Sequence, residues 1–157
     1  MNPPEQPTEE SYHIVLDSIE EDLFTVDLDW RITWFNRAAQ KITGVSREDA
    51  IGKLCSEVFS ANVCAQDCIL RKVLHNGTPI INMPIYINRK DGKQIPISVN
   101  ATVMRDRSGR RIGGVETFRD LSVLDKLNRS YRQKFSFENM ISKNQKMLQI
   151  FSTLLQI

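Results

Sequence analysis

The sequence is short of nearly everything that would carry a protein out of the cell or into a membrane. No apolar run approaches the roughly 20 residues that span a bilayer. The opening MNPPEQPTEE is acidic and rich in proline, the opposite of a secretory signal's basic and then apolar design. Cysteines number three, an odd count within a short segment, which does not read as a disulfide framework. A net charge of +2 gives no basis for nucleic acid or an anionic membrane as a partner. Neither a Ser/His/Asp arrangement nor a paired-carboxylate motif stands out, so no enzyme is expected. The phosphate-cradling pattern G-x-x-x-x-G-K-[ST] is missing too, and nothing here can hold a nucleotide that way. Together these absences predict a cytoplasmic, non-catalytic chain.

What is present is ordinary globular material. The 157 residues, 41% hydrophobic and 25% charged, have room for one core and two short flanking pieces. Residues 1–7 read as a flexible leader. Thr8 can cap a helix whose first turn holds Glu9 and Glu10. Tyr12, Val15, Leu16 and Ile19 then recur at helical spacing, predicting an amphipathic helix over Glu9–Ile19.

The organising stretch is Val26–Gly44, VDLDWRITWFNRAAQKITG. Asp27-Leu28-Asp29 is a turn, because Asp can bond its own backbone two residues on. Arg31–Phe35 has the β-branched and aromatic content of a strand. Asn36 stands where a helix N-cap belongs and Gly44 where that helix stops, with Ala38, Ala39, Ile42 and Thr43 on one face. Ser46 and Asp49 make a capping-box pattern for a further short helix.

Leu54–Gly77 reads as mostly helical, ending at Asn76-Gly77. Three strands follow. Ile81, Met83, Ile85 and Ile87 alternate as in a half-buried strand, and Asp91-Gly92 is a hairpin turn. Ile95, Ile97, Val99, Ala101 and Val103 form the cleanest period-two run, and the last strand covers Ile112–Arg119 beyond a turn at Ser108-Gly109. Pro84 and Pro96 each delete a ladder donor, which predicts strand ends, bulges or an edge. Two strands, several helices and three more strands predict an α+β fold, with helices on one face of a sheet.

These residues carry a family resemblance. Asp27 with its short turn, the Arg31-Ile32 pair, Asn36, Ala38-Ala39, Ile42-Thr43-Gly44 and the following SREDAIG resemble the opening of a PAS domain, although Val45 stands where an aromatic residue is commoner. At the other end, Asp120-Leu121-Ser122 resembles the Asp-aliphatic-Ser/Thr signature that closes many signalling PAS domains. The resemblance covers Tyr12–Ser122. It implies a five-stranded antiparallel sheet with helices on one face, plus N- and C-terminal flanking helices. It also implies a domain over 8–122 whose first helix packs on the sheet or on a partner, and a relay through Asp120, Leu121 and Ser122.

Beyond that exit, Leu121, Leu124, Asn128, Tyr131 and Phe135 follow a seven-residue repeat with a polar Asn at a core position, as in a register-setting coiled coil. A linker helix over 121–136 is therefore expected, either joining two copies in a homodimer or folding back as a surface helix. Residues 137–157 are similar to the lead-in of the AAA+ module of sigma-54-dependent transcription activators. Phe137, Met140, Ile141, Ser142 and Met147 hold the matching places, and Ile150, Phe151 and Leu154 lie on a helix face. The resemblance implies a sensory domain for such an activator, with that AAA+ module as the downstream partner. The alternatives are the PAS module of a sensor histidine kinase, for which no phosphoacceptor His-Glu box follows the linker, and a signal-free dimerisation module.

Candidate chemistry lies in Cys55, Cys64 and Cys68, spaced C-x8-C-x3-C. If Cys64–His75 is one regular helix, then Cys64, Cys68, Arg71 and His75 share a face, eleven residues being about three turns. With Cys55 they offer a set for zinc or an iron–sulfur cluster, or thiols made reactive by Arg71 and Lys72. Equally, the three cysteines are apolar packing and there is no cofactor. The flavin motif Asn-Cys-Arg-Phe-Leu-Gln of light-oxygen-voltage sensors is replaced here by Val63-Cys64-Ala65-Gln66-Asp67-Cys68, and His75 stands too close to the helix stop for a haem ligand. A small apolar ligand between helices and sheet would meet Trp34, Met83, Ile97, Val99 and Phe118, residues that any core would also contain.

Overall fold

The structure, a computed structural model, describes residues 8–136. The leader 1–7 and the expected AAA+ lead-in over 137–157 lie outside the described residues. The chain divides into two units, one ending at Leu121 and one beginning at Ser122, and each is taken by itself.

The first unit opens with α1 (Glu9–Ser18), where the Thr8 side chain accepts from the Ser11 N–H as the sequence predicts. β1 (Asp22–Val26) and β2 (Ile32–Phe35) form a hairpin. Its turn is closed by Asp27 Oδ1, which accepts from the N–H groups of Asp29 and Arg31 at 2.9 and 3.0 Å. α2 (Arg37–Thr43) starts at Asn36 and stops at Gly44 in the left-handed region. Three short helices follow: α3 (Arg47–Ala50), α4 (Cys55–Phe59) and α5 (Ile69–Asn76), the last ended by Gly77. The chain then runs through β3 (Ile80–Asn88), β4 (Gln94–Arg105) and β5 (Arg111–Asp120).

The five strands form one antiparallel sheet in the order β2-β1-β5-β4-β3, so the first strand lies beside the last. Period-two alternation sends Phe24 and Val26 of β1, Ile95, Ile97, Val99 and Ala101 of β4, and Phe118 of β5 into one core with residues of α2 to α5. At its centre Phe59 meets Phe24, Phe118 and Phe35, with ring centroids 4.4, 5.3 and 5.9 Å away. Aromatic pairs at such spacings contribute about 0.5–1.5 kcal/mol beyond their buried area.

Two expectations about strands need correction. Ile81 and Met83 are exposed, while Ile85 and Ile87 are buried. A bulge between Ile80 and Met83 shifts the ladder, with Asn82 in the left-handed region at φ 53° and its N–H donating to Asn100 Oδ1 at 2.8 Å. The alternation therefore holds only from Pro84 onward. Pro84 does lie on an edge strand, β3, but Pro96 lies in β4, between β3 and β5. The last β4–β5 partners are Ile97 and Asp120, and the Pro96 carbonyl accepts from the Leu121 N–H at 2.8 Å. Its missing N–H points to that same side, just where β5 has run out.

In the second unit the described residues 122–136 are helical and form α6. Leu124, Leu127, Tyr131 and Phe135 are exposed, and the rings of Tyr131 and Phe135 stack at 6.1 Å. Asp125 and Arg129 form an (i, i+4) ion pair at 2.9 Å. No helix among the described residues is long and apolar enough to cross a membrane.

Candidate functional site

Under the inner face of the sheet, between β1, β3, β5 and the α4–α5 segment, lies a cavity of about 30 Å³. It has room for about two water molecules. Phe24, Ile85 and Ile87 form its sheet side, Phe59 and Leu70 its helix side, and Cys55, Cys64 and Cys68 all line it. One charged residue also does so, Glu116 of β5.

Each of these side chains has a local reason for its place. Cys55 opens α4, and Cys68 stands at the N-cap of α5 without forming a side-chain cap bond. Between them the chain turns at 62–66, held by the Cys64 N–H on the Ala61 carbonyl and the Asp67 N–H on the Val63 carbonyl. Because α5 begins only at Ile69, the helix face drawn from Cys64 to His75 does not form. His75 is exposed and away from the cavity, its carbonyl accepting from Arg111 Nη1 at 3.0 Å. The three cysteines converge nonetheless, brought together by the fold rather than by one helix. They are free thiols, and among the described residues no group of three or more His, Cys, Asp and Glu could hold a metal ion.

Two of the thiols, Cys55 and Cys64, are held neutral. Burial, with smaller contributions from Cys68, Glu116 and Cys64, pushes Cys55 up to about 12. Burial likewise raises Cys64. The cations expected to lower them are engaged elsewhere, Arg71 over the Trp30 ring at 5.4 Å and Lys72 in an ion pair with Asp67. A thiol held neutral is a poor nucleophile, so neither Cys55 nor Cys64 suits the role of a reactive thiolate.

Glu116 is the residue the sequence reading missed. It shares the inward phase of β5 with Gly114 and Phe118, in register with Phe24 on one side and Ala101 on the other. Its exposure is 8%, and burial pushes its carboxyl up to about 8, with no hydrogen bond or ion pair from the described residues holding it down. The signal was available in the strand itself, since a period-two count from Phe118 puts a charged residue at an inward position.

The five residues expected to line a ligand cleft are distributed otherwise. Ile97, Val99 and Phe118 are buried core residues, but none lines the cavity. Met83 is exposed beside the bulge. Trp34 packs between the His13 ring at 4.4 Å and the Arg47 guanidinium at 4.4 Å, on the side of β2 where α1 arrives. Arg47 continues that junction, donating to the Phe35 carbonyl at 2.7 Å and pairing with Asp17. Of the relay residues, Asp120 ends β5 and Leu121 is tied to Pro96, while Ser122 begins α6. Asp120 also faces Asp22, whose carboxyl is raised to about 6 by burial first and by Asp120 and Glu21 after it.

Comparisons with known proteins agree with this architecture. The chain is similar to the probable diguanylate cyclase DgcE of Escherichia coli (strain K12), 25% identical over 122 residues, which are 76% of this chain and 11% of that protein. The chain thus spans only about a tenth of that relative's length. Among solved structures, a PAS domain from Colwellia psychrerythraea superposes with a TM-score of 0.59 at 19% identity, covering 71% of this chain and 94% of that one. An RNA-binding light-oxygen-voltage receptor gives 0.67 at 16% identity, over 86% of this chain and 41% of the receptor. A PAS domain from a two-component sensor histidine kinase gives 0.58 at 14% identity, over 71% and 94%. The family description "PAS domain" matches residues 20–123, and it is to the PAS family that this chain belongs.

Proposed function

We propose that the chain is a non-catalytic, cytoplasmic sensory module that reads the contents of the Glu116 cavity and controls a sigma-54-type transcription activator through α6. The observation that carries this is a shared strand. Glu116 faces the cavity four residues before Asp120, where β5 ends and α6 is about to begin. At about 3.3 Å per residue, the two are separated by only some 13 Å of extended backbone. An occupant that repacks Glu116 shifts a strand hydrogen-bonded on both sides, and the shift reaches the residues that lead into the helix.

Assembly as a homodimer through the flanking helices is part of this reading. Tyr12, Ile14 and Val15 of α1 are 57 to 63% exposed, and in α6 Leu124, Leu127, Tyr131 and Phe135 are 55 to 69% exposed. Helices that show so much apolar surface are suited to meeting a second copy. The likeness of residues 137–157 to an AAA+ lead-in supports the activator as the output. A second reading, with a cyclase as the output, draws on the similarity to DgcE.

Replacing the cavity-lining Cys64→Val partly fills the space. Hydrogen exchange across 122–136 is expected to change in that variant, and in the full-length protein transcription from a sigma-54-dependent promoter should change with it. Unaltered exchange would sink the sensing reading. Altered exchange with unaltered transcription and altered diguanylate cyclase activity would replace the activator by the cyclase.

A further inference from the structure

We propose that the Glu116 cavity takes a small primary ammonium ion, of the size of ammonium or methylammonium, whose N–H groups donate to the Glu116 carboxylate. This rests on the reading of the cavity as the sensing point, and adds the class of occupant.

Four observations on the cavity select that class. The first is volume, since about 30 Å³ admits one or two heavy atoms and excludes a flavin or a porphyrin. The second is charge. Among the described residues that line the space Glu116 alone is charged, and none of them is a Lys, Arg or His that would neutralise it. A buried carboxylate is tolerated only with a partner, and one monovalent cation makes the pair neutral. Third, the side chains present are wrong for a metal ion. A thiophilic divalent ion needs several ligands placed around one point, and among the described residues no group of three or more His, Cys, Asp and Glu is so placed. A hard cation such as potassium needs a shell of oxygens, whereas among the described lining residues Glu116 alone has a side-chain oxygen. Fourth, the remaining walls suit an organic cation. Phe24 and Phe59 supply aromatic surface, Ile85 and Leu70 can pack a methyl group, and neutral thiols are weak acceptors.

Binding and proton loss are linked. The ammonium ion needs the carboxylate, so a proton on Glu116 competes with it below about pH 8. Affinity should therefore rise about tenfold from pH 7 to pH 9, where a primary amine with a pKa near 10.4 is still charged.

Calorimetric titration of the full 157-residue chain with methylammonium chloride, at constant ionic strength, tests this. Saturable binding is expected, about tenfold tighter at pH 9 than at pH 7, at least tenfold weaker in Glu116→Gln, and absent for tetramethylammonium, which is too large. The ¹³C carboxyl resonance of Glu116 should move to its ionised position on saturation at pH 7, a readout independent of the variant's folding. Heat without saturation, equal binding of potassium chloride, or binding undiminished in Glu116→Gln would each overturn the inference. Failure of the broader reading looks different. If methylammonium binds but neither it nor Cys64→Val alters exchange over 122–136, the ammonium site stands and sensing falls; if Cys64→Val alters exchange while methylammonium fails to bind, sensing stands and the ammonium site falls.

Discussion

Glu116 lies directly across the β1–β5 ladder from Phe24, so the buried carboxyl of the cavity shares a row of the sheet with one of the core's largest aromatic rings. Few positions in a sheet are less hospitable to charge.

That pairing makes stability depend on pH in an unusual direction. The folded protein holds the Glu116 proton up to about pH 8, whereas the free side chain releases it near 4.5. Folding thus favours the protonated form, and its stabilising effect is complete below pH 4.5 and lost as pH rises towards 8 and beyond. The slope contributed is at most about 1.4 kcal/mol per pH unit inside that window. Urea melts of Glu116→Gln should show a flatter profile between pH 5 and 8, and a gain over the wild type at pH 9. An unchanged slope would show that Glu116 titrates normally.

Asn36 is a second point at which one side chain decides a great deal. It is fully buried; its Oδ1 accepts from the N–H groups of Leu23 and Ala39 at 3.0 and 2.9 Å, and its Nδ2 donates to the Glu21 carbonyl at 2.9 Å. Asn36→Asp keeps the acceptors, removes the donor and places a charge against a carbonyl. We expect a loss of roughly 3–5 kcal/mol, larger than for a simple cap deletion of about 1 kcal/mol. Chemical denaturation at pH 7 measures it.

Thiol chemistry should be quiet. With Cys55 pushed up to about 12 and Cys64 raised, both should react with iodoacetamide far more slowly than a free cysteine at pH 8, and all three cysteines should react at once after unfolding. Mass spectrometry of the labelled protein gives the answer, and rapid native labelling of Cys55 would contradict the site's electrostatics.

Phe59 joins the helical layer to the sheet through three ring contacts. Phe59→Ala leaves a void where Phe24, Phe35 and Phe118 meet and should cost about 3–5 kcal/mol. A destabilisation below about 1 kcal/mol would mean that the core collapses into the space without penalty.

Gly113 tests backbone rather than side-chain packing. A Cβ there would be driven into the Val26 carbonyl across the β1–β5 pair. Gly113→Ala should lower the melting temperature by several degrees, a shift of about 4–8 °C corresponding to each kcal/mol in a domain of this class. Gly92→Ala is the control, since its Cβ would meet nothing within 4 Å and only its positive φ opposes the change.

Much of the fold was legible because its signals are local. Thr8, Asn36 and Ser46 cap helices in the structure as their side-chain chemistry requires, and Gly44 and Gly77 end them. The β4 run is buried in the phase its alternation predicts as far as Ala101. What failed was non-local. Nothing in Ile81-Asn82-Met83 announces a bulge, because the bulge is fixed by Asn100 on another strand. The cysteines were rightly singled out, but their meeting place depends on a turn at 62–66 that helical spacing overrode. Glu116 was passed over because a single charged residue in a strand is ordinarily on the wet face, although the period-two count from Phe118 marks it as inward and the register with Phe24 and Ala101 bears that out.

The turn that carries Ala61, Val63 and Cys64 to the cavity also guards the open side of β3. The Asn62 N–H donates to the Tyr86 carbonyl and its Oδ1 accepts from the Tyr86 N–H, both at 3.1 Å, while Asn88 Nδ2 donates to the Ser60 carbonyl at 2.8 Å. These bonds occupy the backbone of Tyr86 on the outer side of β3, and without them an unpaired strand edge would be bare to any extended peptide nearby. One turn thus both lines the cavity and covers the sheet edge, and Asn62→Ala, which removes its side-chain bond to Tyr86, should aggregate sooner than the wild type.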